Sequence, residues 1–271
     1  MIYALKFKEK AKRGLLKSIL AALFGVKPYE EITFVGTVEV HTVFCEHGML
    51  KRKKTIKIIK RICKEHFEFL LLPDDVCSDI FKKRSSDKYK KEVIKNTAKF
   101  LLSNCKLPPK ELSCGLIDTN AEFTDYVEIM LKYCSELKVF SKNKQYKAVT
   151  NRIFDEHGAI IQVTGNIQNI GDCRFIIAPN PIECSICFKP SSFVLTQTQK
   201  LPLCGNICSD YFLDVPHEYE KLIDKSTDPF DLYAALLKED SKNQIINRCA
   251  DRVKVNNTII SVTHALKGIT G

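Results

Sequence analysis

The sequence of 271 residues predicts an α/β protein, with a doubly wound, mainly parallel sheet in its C-terminal part and a smaller basic α/β domain before it. Two patterns predict this class. Short apolar runs alternate with amphipathic segments between residues 112 and 182. Because these runs are apolar almost throughout, they are typical of parallel strands that are covered on both faces.

Charge is distributed unevenly along the chain. Residues 1–110 hold 25 Lys and Arg against 12 Asp and Glu, a net charge of +13, whereas residues 111–271 hold 17 against 20, a net charge of −3. The segment NCKLPPKELSC (residues 104–114) contains two adjacent prolines and lies where the charge balance changes, which indicates a linker. We therefore predict two domains, 1–110 and 111–271.

The first half predicts helices and strands in alternation. Apolar residues recur at helical spacing opposite basic residues over 5–25, so this segment is predicted to be an amphipathic helix that packs on its own domain or lies on a membrane surface. The remaining predictions are a strand over 31–44, a helix ending near residue 65, a buried strand FEFLLL over 67–72 and a helix over 87–103.

The second half predicts a regular alternation of strands and helices. Strands are predicted for LSCGLID (112–118), ELKVFS (136–141), AIIQVTG (159–165), CRFIIAP (173–179) and ECSICF (183–188). Helices are predicted over 121–134, with a capping box of Thr119 and Glu122, over 145–157, ending at Gly158, after Asp228-Pro229, and over 242–251.

The stretch 112–182 resembles a Rossmann-type dinucleotide-binding domain, such as those of the shikimate dehydrogenase and glutamyl-tRNA reductase families. The resemblance rests on CGLID as the first strand, KVFSKNKQY as the second strand and its exit, and DCRFIIAPNP as the fourth strand. It implies a cofactor crevice at the carboxyl ends of these strands. The implied cofactor-binding residues are Asp118, Thr119, Asn120, Ser141, Lys142 and Pro179.

The first turn departs from the pattern of that domain. Dinucleotide sites use glycines so that backbone N–H groups approach a pyrophosphate at a helix N-terminus, but here the turn reads Asp118-Thr119-Asn120-Ala121-Glu122. Its two carboxylates would repel a pyrophosphate. Asp118 could instead hold Mg²⁺, or stabilise the N-terminus of the following helix. Ser141 and Lys142, at the exit of the second strand, suit the 2′-phosphate of NADP.

Twelve cysteines are scattered along the chain. Cys184, Cys187, Cys204 and Cys208 have a spacing close to that of a zinc ribbon, but the second pair is one residue wider than that pattern, so buried or surface thiols are favoured over zinc. With no secretory signal and no run of about 20 apolar residues, the scattered cysteines indicate a reducing cytoplasm.

The basic run KRKKTIKIIKR (residues 51–61) has the charge of a nucleic-acid-binding segment but lacks interleaved aromatic residues. No motif assigns a catalytic residue. The sequence therefore favours a cytoplasmic small-ligand- or nucleotide-binding protein, regulatory or non-classical in kind. Two alternatives stay open: an NADP-dependent oxidoreductase, and a basic module that binds nucleic acid or another partner.

Overall fold

The computed structural model describes residues 1–8, 27–50, 52–76, 81, 86–197, 203–237 and 245–270. They form two compact units: one of residues 1–89 and 214–246, the other of residues 90–213 and 247–271. Both units are discontinuous in sequence, because residues 214–246 belong with the N-terminal part of the chain. The boundary at 110/111 stays a prediction.

The described strands and helices are numbered along the chain. The strands are β1 (Ile2–Phe7), β2 (Tyr29–Val35), β3 (Val38–Cys45), β4 (Ser113–Ile117), β5 (Glu136–Phe140), β6 (Ile161–Thr164), β7 (Phe175–Ala178), β8 (Phe193–Thr196), β9 (Asn206–Phe212), β10 (Arg252–Val255) and β11 (Thr258–Ser261). The helices are α1 (Lys53–Cys63), α2 (Asp87–Asn104), α3 (Tyr126–Leu131), α4 (Gln145–His157), α5 (His217–Glu220), α6 (Pro229–Leu236), α7 (Val262–Ala265) and α8 (Lys267–Thr270).

The first unit contains a three-stranded sheet in the order β1-β3-β2, in which β1 is parallel and β2 antiparallel to β3. The single strand predicted over 31–44 is wrong. Gly36 has a positive φ of 58° and turns the chain, so the run forms the β2–β3 hairpin. The helix predicted over 5–25 is wrong at its start, which belongs to β1; residues 9–26 lie outside the described residues.

Helix α1 confirms the helix predicted to end near residue 65 and buries Thr55, Ile59 and Cys63. The strand FEFLLL is wrong, because a 3-10 helix occupies Lys64–Phe69. Beyond that helix the backbone extends, and Leu71 pairs with β1: its N–H donates to the Tyr3 carbonyl at 2.8 Å. Within this run, Leu71 pairs with β1, but the run does not form a full strand.

The second unit contains an eight-stranded sheet in the order β11-β10-β9-β8-β7-β4-β5-β6. Strands β4 to β9 are mutually parallel, whereas β10 and β11 are antiparallel to their neighbours. Counted from β4, the parallel strands stand in the order 3-2-1-4-5-6 of dinucleotide-binding sheets. This order confirms the predicted α/β fold class.

In the described part of the chain, one face of the large sheet is covered by a short 3-10 helix and by the irregular segment around Ile186. Ile117 and Ile176 pack there against the 3-10 helix Ile167–Ile170 and against Ile186. The strand predicted for ECSICF is wrong. Ile186 and Phe188 are buried, but within that run only Cys187 makes a β-bridge. The sheet position is taken by β8, whose four residues are all buried.

The helices α2 and α4 confirm their predictions, and α4 ends at Gly158 with a positive φ of 64°. Helix α6 begins as predicted, with the Asp228 side chain accepting the Phe230 N–H at 2.9 Å. The helix over 242–251 is wrong where it is described, since 245–247 form a turn. In the described part of the chain, no helix is long and apolar enough to cross a membrane.

Candidate functional site

The candidate site is the crevice at the carboxyl ends of β4, β5 and β7, where the strand order reverses between β4 and β7. Asp118, Ser141 and Pro179 directly follow the last residues of these three strands. The Asp118 N–H donates to the Phe140 carbonyl at 3.1 Å, which extends the ladder by one step beyond β4. Open α/β sheets bind their ligands at such a reversal.

Asp118 lies at the base of the crevice and is fully buried. One carboxylate oxygen accepts the N–H of Glu122 at 3.1 Å, and the other accepts the N–H of Phe123 at 2.9 Å. The second oxygen also accepts the hydroxyl of Tyr146 at 2.6 Å. Burial, and next the hydrogen bond to Asp118, raise the pKa of Tyr146, so its phenol remains a donor.

The Asp118 carboxylate therefore lies where a dinucleotide-binding turn would offer its N–H groups to a phosphate. Ala121 takes a positive φ of 58°, which curls the turn back over Asp118. The capping box of Thr119 and Glu122 is wrong. Helix α3 begins only at Tyr126, and the Glu122 N–H that Thr119 would have capped donates to Asp118 instead. With both oxygens accepting N–H groups, Asp118 is poorly placed to hold Mg²⁺.

Glu122 provides the negative charge at the rim of the crevice. Its carboxylate pairs with Lys91 and accepts the Asn120 amide at 3.2 Å. The hydrogen bond from Lys91 is the main cause that lowers the pKa of Glu122; the amides of Asn120 and Asn180 contribute less. Asn180 lies near enough to act on this charge, yet among the described residues its buried Nδ2 has no hydrogen-bond partner in proper geometry.

The turn after β5 is tied to the turn after β4 through Asn143. Its side-chain amide donates to the Asn120 carbonyl at 3.2 Å, and its oxygen accepts the Gln145 N–H at 3.0 Å. Ser141 is buried, and its hydroxyl oxygen accepts the Asn143 N–H at 3.2 Å. Lys142 is exposed. Of the two residues predicted to meet a 2′-phosphate, only Lys142 is therefore exposed.

The turns after β7 and β8 are also joined. Pro179 is buried, and its carbonyl accepts the Gln197 side-chain amide at 2.8 Å. The Asn180 carbonyl accepts the Thr196 hydroxyl at 3.4 Å. The backbone of Asn180 is thereby held at the reversal point.

Of the predicted residues, Asp118, Asn120 and Ser141 are linked through shared partners, while Thr119 is exposed. The cofactor-binding role of these residues stays a prediction. Sequence reasoning missed Lys91, Tyr146 and Asn180 as parts of the site, whereas Asn143 lies in the run after β5 that was considered for a 2′-phosphate. In the sequence, Tyr146 shares helical spacing with Val149 and Ile153, which predicts an inward face, and a hydroxyl on such a face is a signal for a buried hydrogen-bond partner.

The four cysteines considered for zinc do not form one cluster, although Cys187 and Cys204 are neighbours across a β-bridge. Cys208 is buried within β9, whereas Cys184, Cys187 and Cys204 are exposed. No group of three or more His, Cys, Asp or Glu side chains is placed to hold a metal ion in the ranges that the structure describes.

Comparison with known proteins gives distant structural similarity. No protein-family model and no curated protein matches the chain. A quinate dehydrogenase from Corynebacterium glutamicum, solved in complex with NAD, is 10% identical and aligns over 68% of this chain and 72% of its own, with a TM-score of 0.27. An L-tryptophan dehydrogenase from Nostoc punctiforme is 8% identical and aligns over 72% of this chain and 63% of its own, with a TM-score of 0.29.

Proposed function

We propose that the protein binds a small polar ligand that lacks a pyrophosphate group, in the crevice beyond β4, β5 and β7, and acts as a binding or regulatory protein. The observation that carries this proposal is the capture of the Glu122 and Phe123 N–H groups by the Asp118 carboxylate. Those groups are then unavailable to a phosphate, and the Asp118 and Glu122 carboxylates repel one.

The polar groups that remain define the ligand class. Asn180 offers a buried amide donor that is close enough to influence Glu122 but makes no hydrogen bond of proper geometry among the described residues, and Glu122 offers an ionised acceptor. A carboxylate at such a crevice suits the hydroxyl pair of a ribose. A neutral ligand with vicinal hydroxyls, such as a nucleoside, fits a donor and an anionic acceptor together, whereas a dinucleotide brings two negative phosphates.

The experiment is a thermal-shift titration with adenosine, NAD, NADP, Mg²⁺–ATP and Zn²⁺, since a ligand that binds only the folded state raises its stability. We expect adenosine to raise the melting temperature, and NAD and NADP to raise it less at equal concentration. Asn180→Ala and Glu122→Gln should abolish the shift. Asn151→Ala, at an exposed position of α4, is the matched control and should retain it.

An NADP-dependent oxidoreductase is the alternative that exposed Lys142 favours, because that cation stands at the exit of β5. If NADP stabilises the protein strongly while adenosine does not, and Lys142→Ala removes the effect, this alternative replaces the proposal. Cytoplasmic localisation stays a prediction from the cysteine pattern.

The basic-module alternative rests on α1. Lys53, Lys54, Lys57, Lys60 and Arg61 are all exposed on this helix, opposite its buried face. Binding to random RNA or DNA that weakens steeply with salt, and that is lost when Lys54 and Lys57 are replaced by Gln, would support it.

A further inference from the structure

Two exposed cysteines are neighbours at the amino ends of the parallel strands, the end of the large sheet opposite the crevice. Cys187, in the segment between β7 and β8, forms an isolated parallel β-bridge with Cys204. Cys204 lies two residues before β9, at the amino end of a parallel strand. Both side chains are exposed. Partners in a bridge project to the same side of the ladder, so the two thiols share one surface.

The backbone around this pair is held in place by contacts that do not involve the sulfur atoms. The Lys189 N–H donates to the Gly171 carbonyl at 3.1 Å, and the Asn206 N–H donates to the Ser192 carbonyl at 3.0 Å. A Cβ at Gly171 would lie only 2.9 Å from the Cys187 carbonyl oxygen, so the glycine permits this close approach. The two cysteine-bearing segments are therefore fixed against each other.

The two side chains also interact electrostatically. The neighbouring Cys204 side chain raises the pKa of the Cys187 thiol, as their pairing across the β-bridge leads one to expect. Neighbouring strands lie about 4.8 Å apart, within the Cα separation of about 4.4–6.8 Å that a disulfide requires. The pair can therefore be joined without a large movement of the backbone.

We propose that Cys187 and Cys204 form a reversible dithiol–disulfide site that reacts with small-molecule disulfides. One thiolate attacks the small disulfide, forms a mixed disulfide and releases one small thiolate. The second cysteine thiolate then attacks the protein sulfur of the mixed disulfide and releases the other small thiolate. The two released thiolates take up the two protons lost by the protein and become thiols, so the protein is oxidised while the reagent is reduced.

The proposed site requires both exposure to the reagent and a paired thiol, and three other described cysteines lack one of these. Cys114 and Cys134 are buried, so a reagent does not reach them. Cys184 is exposed and lies in the same segment as Cys187, yet it has no bridge partner. It provides a matched control for exposure without pairing.

The test uses the full chain, fully reduced and then equilibrated in buffers of glutathione and its disulfide at rising ratios. Non-reducing digestion and mass spectrometry identify each cross-link, and the intact mass reports the loss of two hydrogen atoms. We expect a Cys187–Cys204 cross-link in the wild type and in Cys184→Ser. In Cys187→Ser and Cys204→Ser we expect it to be absent, with a glutathione adduct accumulating on the remaining cysteine. Circular dichroism checks that each variant is folded.

The proposal is overturned if the folded wild type forms no cross-link, if the cross-link joins Cys184 to either cysteine, or if wild type and Cys204→Ser accumulate glutathione on Cys187 equally. The last outcome would mean that Cys204 does not resolve the mixed disulfide.

Discussion

Removal of the Asp118 carboxylate tests whether this side chain organises the crevice. In Asp118→Ala, the N–H groups of Glu122 and Phe123 and the hydroxyl of Tyr146 lose their acceptor. A hydrogen bond to a charged group contributes about 1.5–3 kcal/mol, and a buried donor left without a partner costs about 1–3 kcal/mol. Because Glu122 is exposed, water replaces Asp118 as the acceptor of the Glu122 N–H and recovers part of this loss. We expect a loss of about 3–5 kcal/mol in the free energy of unfolding.

Two milder variants separate the contributions. Tyr146→Phe removes one donor and leaves both N–H bonds in place, so a loss of about 1–2 kcal/mol is expected. Asp118→Asn keeps one acceptor oxygen but cannot serve both N–H groups, so about 2–3 kcal/mol is expected. Since the two side chains share a hydrogen bond, the double variant should lose less than the sum of the single losses.

The assay is urea unfolding followed by circular dichroism, with the midpoint and the slope fitted separately. The organising role of Asp118 is refuted if Asp118→Ala changes the free energy of unfolding by less than about 0.5 kcal/mol, the range of ordinary surface substitutions. An additive double variant would refute the direct coupling to Tyr146.

Three further predictions concern other parts of the chain. Gly171→Ala should destabilise the protein by about 1–3 kcal/mol through overpacking, because the new Cβ would lie 2.9 Å from the Cys187 carbonyl oxygen and 3.2 Å from that of Gln168; Gly165→Ala, where no atom lies within 4 Å, should have little effect in the same urea titration. Because the pKa of Glu122 is lowered in the folded state, this carboxylate stabilises the protein above its unfolded pKa, near 4.5, and the stabilisation is lost as the pH falls through the folded pKa. The difference in unfolding free energy between wild type and Glu122→Gln, measured from pH 7 to pH 2, should therefore shrink below pH 4.5. A constant difference would contradict this prediction. Asp228→Ala removes the acceptor of the Phe230 N–H and should cost about 1 kcal/mol, whereas Asp228→Asn should retain most of the cap; equal losses in thermal unfolding would show that the cap is not the cause.

The sheet of the second unit could be predicted because its strands are short, apolar and separated by helices. Strands β4, β5, β6 and β7 were all found from this pattern. The strand β8 was missed in favour of ECSICF, since alternation of Ile186 and Phe188 with polar residues imitates a strand. In the structure those two side chains fill the layer that covers the sheet, and periodicity does not distinguish the two positions.

The crevice was predicted only in its location. Asp118 could be placed at a strand end, and the repulsion of a pyrophosphate followed from the two carboxylates. Its acceptance of the Tyr146 hydroxyl could not be predicted, because the two residues are 28 positions apart and meet only through the packing of α4. Similarly, nothing in the local sequence relates Asn180 to Glu122, whose approach depends on β7 lying next to β4.

The return of residues 214–246 to the N-terminal unit has a consequence for biosynthesis. The Phe7 N–H donates to the Asp224 carboxylate at 3.0 Å, and Pro73 forms a β-bridge with Thr227. These contacts form only after residues 214–246 have left the ribosome. At about 5–20 residues per second, the intervening stretch takes on the order of 10 s to translate. During that interval the nascent first unit exposes surface that residues 214–246 later cover. A stop codon shortly before residue 214 would therefore leave both units incomplete, and a single cut cannot yield two separately folding fragments.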